Sequence, residues 1–192
     1  MARLENWINQ GYVPTPELVL NLLTAGAVPP LQARCHQCTY NQESLCKDQG
    51  HRELRFLDPC CGDGAALKTI ADNMMQQRGK GWEKQHGIYT VGIEVNDERA
   101  EDAKQNLNRV IHSDMASVEI KQEVFDFAWV NPPYDYKGDG TGDRVETDFL
   151  IAATMALHAH GTLAYVVPMS VAIHDLDSVS YTHLTLPTIC SV

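Results

Sequence analysis

LRFLDPCCGDGAALKTIADNMMQQ, residues 54–77, carries the clearest structural pattern in the chain. Leu54, Phe56 and Leu57 make a short apolar run that ends in an acid, Asp58. Gly62 and Gly64 then mark a turn, after which Leu67, Ile70, Ala71, Met74 and Met75 recur on one face of a 3.6-residue period. The pattern is strand, glycine turn, helix. It returns downstream as IYTVGIE (88–94), again closing on an acid, followed by NDERAEDAKQNL (96–107). In that second helix Ala100, Ala103 and Leu107 mark the buried face, and Asn96 or Asp97 can cap the start. A third strand-and-helix pair is expected to begin at RVIHSD (109–114), and VFDFAWV (124–130) reads as a fourth strand. The helical stretch VETDFLIAATMALHAH (145–160) leads to a fifth strand, GTLAYVVP (161–168). Strands joined by helical crossovers predict an α/β fold with a mostly parallel, doubly wound sheet, whose sites lie at the carboxyl ends of the strands.

The chain has 192 residues, 44% of them hydrophobic and 21% charged, which suits one domain with a full core. No apolar run approaches the roughly 20 residues of a membrane span. The N-terminal MARLENWINQGY lacks the apolar centre of a signal peptide, so a cytoplasmic protein is expected. A net charge of −10 argues against a broad phosphate-binding surface, which needs clustered Lys and Arg. Residues 179–192, beginning VSYTHLTLPT, resemble translated sequencing-library adapter. The expected domain is therefore residues 1–178, cut after its fifth strand, with 179–192 a non-biological tail. Left with an open edge there, the sheet would be prone to association.

The strand ends carry the chemistry. Gly62 and Gly64 after Asp58 let the backbone approach a ligand closely, although such a loop is also an ordinary strand-to-helix turn. Glu94 at the second strand end can accept both hydroxyls of a ribose. Asp114, after the third, can accept a hydrogen bond from an adenine amino group or cap a helix. Taken in order, the series resembles the nucleoside site of S-adenosylmethionine-dependent methyltransferases.

VNPPYDY (130–136) follows the fourth strand, and its two prolines remove successive backbone N–H donors. Methylation of a planar amino nitrogen calls for acceptors, because the lone pair is delocalised into a ring or amide. Bonds from both amino hydrogens to the Asn131 side-chain oxygen and the Pro132 carbonyl would localise that lone pair for in-line attack. Pro132 and Pro133 stiffen the turn, and Tyr134 offers a flat face for an extruded base.

YVPTP (12–16), DPCCGDG (58–64), GIEVND (92–97), HSD (112–114) and NPPY (131–134) together look like the ordered motifs of amino-methyltransferases. Their arrangement resembles the γ-type adenine-N6 DNA methyltransferases, and more closely the methyltransferase-like proteins of bacterial mobile elements. The resemblance implies a Rossmann-like class I methyltransferase fold and S-adenosylmethionine as cofactor. It implies cofactor contacts from Tyr12, Thr15, Asp58, Cys60, Gly62, Gly64, Glu94 and Asp114, and catalysis by Asn131, Pro132, Pro133 and Tyr134. Cys60-Cys61 stand where related enzymes often carry other small residues.

An insertion at about 31–53 lies outside that pattern. Its Cys35, Cys38, Cys46 and His51, with His36 as an alternative, could form a Cys₃His zinc site; a polar loop with reduced thiols is the other reading. Setting Cys190 aside with the tail leaves an odd number of cysteines, which argues against a disulfide framework.

Three functions fit these residues. The first is an adenine-N6 methyltransferase acting on DNA, with RNA a close variant. The second is a protein glutamine methyltransferase, since the side-chain amide also presents an NH₂ group. The third is a non-catalytic methyltransferase-like binding protein, against which intact Asp58, Glu94 and Asn131 count.

Overall fold

The computed structural model describes residues 14–24, 53–77, 87–134 and 144–167. The elements in chain order are α1 (Glu17–Leu22), β1 (Leu54–Asp58), α2 (Ala65–Gln77), β2 (Ile88–Glu94), α3 (Asp97–Asn106), β3 (Arg109–His112), β4 (Phe125–Val130), α4 (Val145–Ala156) and β5 (Leu157–Tyr165). The five strands form one sheet in the order β3-β2-β1-β4-β5, and every pairing is parallel. The order reverses direction between β1 and β4, so the fold is the doubly wound, Rossmann-like one expected. Its crevice lies at the carboxyl ends of those two neighbouring strands.

Burial on both faces explains why the strands read as nearly continuous apolar runs. On one face Phe56, Phe127 and Trp129 pack beneath Leu20 and Leu23 near α1, Leu67, Ile70 and Met74 of α2, and Ala103 and Leu107 around α3. Leu57, Val91, Ala128 and Val130 face the other way, towards Phe149, Leu150, Ala153 and Ala156 of α4. Asn96 rather than Asp97 caps α3, accepting the Arg99 N–H at 3.0 Å. No helix among the described residues is long and apolar enough to cross a membrane.

Two expectations fail locally. The third crossover carries no α-helix: residues 113–124 hold a single 3-10 turn, Met115–Ser117, whose N-cap is Asp114. The sheet is left with a groove of about 470 Å³ lined by Leu57, Tyr89, Val91, Ile93, Ile111 and Phe125, among others. The fourth helix also ends earlier than predicted. It stops at Ala156 because its last carbonyls are taken by the chain entering β4, with Glu123 N–H donating to Met155 O at 3.1 Å and Val124 N–H to Ala156 O at 2.9 Å. Leu157 then pairs with Phe125 and Thr162 with Phe127, so β5 absorbs residues 157–160 through an irregular register.

Candidate functional site

The sheet places Asp58, Glu94 and Asn131 at the ends of β1, β2 and β4; Glu94 and Asn131 line one cleft, and Asp58 is buried beside the Cys60 that lines it. Cys60, Glu94, Arg99, Asp114, Asn131 and Pro133 are among the residues lining it. The cleft has a volume of about 80 Å³.

The glycine loop is built by backbone conformation and close packing. Gly62 and Gly64 have φ of 56° and 77°, in the left-handed region that disfavours side chains. At Gly64 a Cβ would also meet the Leu107 side chain at 2.9 Å. Gly64 therefore serves the packing of α2 against the end of α3. Cys61 beside it is a core residue: its N–H donates to Ile93 O at 2.9 Å, and a Cβ on Gly92 would come within 2.5 Å of its Sγ. Cys60 faces the cleft half-buried. Burial, and then the neighbouring Asp58 carboxylate, push the Cys60 thiol well up, so it stays protonated and weakly nucleophilic.

The carboxylates differ in their surroundings. Asp58 is 2% exposed and accepts the Cys60 N–H at 3.0 Å. Burial, with a smaller contribution from the charge of Glu94, lifts its pKa to about 7. Glu94 is 6% exposed and heavily bonded. Its Oε2 accepts Gly62 N–H at 2.9 Å, and its Oε1 accepts Asn96 N–H at 2.8 Å and the Arg99 guanidinium at 2.9 Å. One carboxylate thus ties the loop after β1 to the start of α3. Asp114 is exposed, and its Oδ1 accepts Ala116 N–H at 3.0 Å, so the capping reading holds for that oxygen.

The Asn131-Pro132-Pro133-Tyr134 turn continues β4. Asn131 donates through Nδ2 to Thr15 Oγ1 at 3.1 Å, and its Oδ1 accepts the Tyr134 hydroxyl at 3.0 Å. That hydroxyl also lies 3.2 Å from Val166 O. Pro132 is buried, Pro133 is half-buried and lines the cleft, and Tyr134 is 38% exposed. Burial, then the Glu146 and Cys60 charges, raise the Tyr134 pKa, so its hydroxyl keeps its proton to donate.

Of the predicted site residues, Cys60, Glu94, Asp114, Asn131 and Pro133 line the cleft, whereas Asp58, Gly62, Gly64, Pro132, Tyr134 and Thr15 are not in its lining. Tyr12 lies outside the described residues, as do Cys35, Cys38, Cys46, His51 and the alternative ligand His36. Among the described residues no cluster of His, Cys, Asp or Glu is placed to hold a metal. The sequence reading missed Arg99 and Phe149, both of which line the cleft. A cation five residues after a strand-end acid, in the first turn of the next helix, is the signal that could have found Arg99.

Glu94 and Asp114 in the cleft lining can accept hydrogen bonds from hydroxyl and amino groups, beside a glycine loop in left-handed conformation, and that chemistry is compatible with S-adenosylmethionine. Among solved structures the fold is similar to a protein of Listeria monocytogenes assigned as a class I S-adenosylmethionine-dependent methyltransferase. The TM-score is 0.61 at 15% identity, covering 89% of this chain and 51% of that one. It is also similar to the methyltransferase subunit of a type I restriction-modification system from Streptococcus thermophilus, with TM-score 0.54 at 18% identity, covering 85% of this chain and 37% of that one. The chain thus spans about half the length of the first and just over a third of the second. No curated protein matches the sequence. Residues 50–182 match the family model described as "Uncharacterised methyltransferase family (DUF6094)", and the chain belongs to that family.

Proposed function

We propose that the protein transfers a methyl group from S-adenosylmethionine to an exocyclic amino nitrogen, with adenine N6 in DNA as the acceptor. The observation that carries this reading is the Asn131 carboxamide, held at the end of β4 beside a cleft lined by Glu94 and Asp114. The cofactor, when bound, supplies an electrophilic methyl on a cationic sulfonium. Glu94 and Asp114 would hold its nucleoside, and Asp58 would balance positive charge. Asn131 Oδ1 and the Pro132 carbonyl would accept the two amino hydrogens of the substrate and localise the nitrogen lone pair, and one of those hydrogens would leave as a proton to solvent once the nitrogen carries the methyl. Tyr134 presents a ring on which a base, extruded from its stack, can lie.

A nucleobase is favoured over a glutamine amide by that ring, and DNA is favoured by the fold likeness to a restriction-modification methyltransferase subunit. The net charge of −10 favours the second reading, a protein glutamine amide. An assay with labelled S-adenosylmethionine and three acceptors, adenine-containing DNA, RNA and glutamine peptides, separates them. Label on adenine N6 of DNA is expected. Label on glutamine alone would replace the acceptor, and label on none would overturn the transferase reading.

Asp58 makes cofactor binding pH-dependent. With its pKa near 7 in the ligand-free protein, the carboxylate is largely protonated at pH 5.5 and largely ionised at pH 8. A cationic ligand selects the ionised form, so affinity should rise by roughly 30-fold over that interval and then level off. The stability of the ligand-free protein should run the other way. Because the folded pKa lies above the unfolded value of 3.8, the contribution of Asp58 is fully present below about pH 4 and is lost as pH rises through 7. Calorimetric titration across the range checks the binding, and Asp58→Asn should flatten its profile. A flat profile for the unmodified protein would remove Asp58 from the site.

A further inference from the structure

The Asn131 carboxamide works in only one of its two orientations. Its oxygen can accept the hydrogens of a substrate amino group, whereas its NH₂ would meet them as a like donor. Something must therefore hold the NH₂ away from the substrate. The hydrogen bond from Asn131 Nδ2 to Thr15 Oγ1, 3.1 Å long, does this across 116 residues of chain.

Thr15 is well placed to be a fixed partner. It stands between Pro14 and Pro16, and a residue before proline is restricted to extended conformations. Pro16 is the N-cap of α1, and its carbonyl accepts the Val19 N–H at 3.0 Å. The segment is anchored by Leu20 and Leu23, both buried in the core. A second tie joins it to α2, where Asn73 Nδ2 donates to Asn21 Oδ1 at 3.0 Å. The Thr15 hydroxyl thus projects from a short element whose backbone and apolar face are both secured. On the opposite side of the carboxamide, the Tyr134 hydroxyl lies 3.0 Å from Oδ1 and 3.2 Å from Val166 O, with one proton to share between them. That oxygen is the one the transfer reaction needs, and with two lone pairs it can accept an amino hydrogen beside the tyrosine hydroxyl or in exchange for it. The Thr15 bond can persist in either case because it is made to the other end of the amide.

We propose that Thr15 is a positioning residue that acts through Asn131, keeping the carboxamide oxygen turned to the methyl acceptor. This rests on the transfer reaction proposed above, and it differs from a cofactor contact by Thr15, which the family resemblance implies. The two roles predict opposite kinetics.

Thr15→Val keeps the size and β-branching of the side chain and removes the hydroxyl. Methyl transfer at saturating cofactor should fall by about tenfold, the scale of one neutral hydrogen bond, with cofactor affinity changed less than twofold. Thr15→Ser should restore the rate to within about twofold of the unmodified protein, since it restores the hydroxyl. In an Asn131→Ala background Thr15→Val should cost nothing further, because the group it positions is gone. A loss of cofactor affinity with an unchanged saturated rate would overturn the proposal, and so would additive losses in the double variant.

A structural readout keeps this test separate from the transfer reaction. In protein labelled with ¹⁵N-asparagine, one Asn131 side-chain amide proton should exchange slowly, and Thr15→Val should abolish that protection. Thr15→Ala serves in its place if the valine variant fails to fold. If the unmodified protein methylates none of the three acceptors, the transferase reading fails, yet loss of protection would still establish the bond. Unchanged protection would overturn the proposal on its own.

Discussion

Replacing Asn131 with alanine should lower the rate of methyl transfer by roughly 10²–10³-fold, the scale for losing one preorganised contact to charge developing in a transition state. Cofactor affinity should change by no more than about threefold, because the carboxamide acts chiefly on the substrate amino group. The large effect comes from removing the carboxamide oxygen at the end of β4, the acceptor to which the proposed mechanism assigns a substrate amino hydrogen. Single-turnover kinetics at saturating cofactor, with circular dichroism to confirm folding, make the measurement. An undiminished rate would remove the turn from the chemistry.

Glu94→Ala should weaken S-adenosylmethionine binding by about 1.5–3 kcal/mol, the range for hydrogen bonds to a charged group. The structure gives this variant two routes to that loss. The carboxylate would no longer be available to ribose hydroxyls, and the Gly62 N–H and Arg99 guanidinium would lose their shared acceptor. Glu94→Gln separates the routes, since an amide oxygen can still accept from Gly62 while the charge facing Arg99 is gone. If the loop matters most, Glu94→Gln should recover a large part of the affinity; if charge matters most, it should resemble the alanine variant. Calorimetry with unchanged affinity in both variants would exclude Glu94 from cofactor binding.

The parts of this fold that could be read from sequence share a local cause. β1, β2 and β4 are largely buried, so Phe56, Ile93 and Trp129 sit in nearly continuous apolar runs, broken only by Arg55, Thr90 and Asp126, whose ends are marked by Asp58, Glu94 and Asn131. α2 and α3 announce themselves by the spacing of Leu67, Ile70 and Met74 and of Ala100, Ala103 and Leu107. The segment between β3 and β4 carries no such period, and only the folded chain shows a 3-10 turn there. The boundary between α4 and β5 was illegible for a different reason: Leu157 and His158 follow a good helical pattern, and it is pairing with Phe125 that draws them into the sheet. At the site, residue types were legible and their partners were not. Nothing local to Glu94 says that one of its oxygens holds Gly62, 32 residues upstream, and nothing near Asn131 names Thr15.

The distance in sequence between Thr15 and Asn131 also bears on how the protein is made. β1 and β2 are neighbours that can pair as soon as residue 94 has been synthesised, whereas β1 must wait for β4 to fill its other side. The bond between Thr15 and Asn131 closes later than any contact confined to the first two βα units, and contacts of long sequence separation are slow to form. A nascent chain could therefore carry a formed glycine loop and a paired Glu94 while its amino-acceptor centre was still missing. Competence for the proposed transfer would arrive only when the segment around Thr15 meets the end of β4.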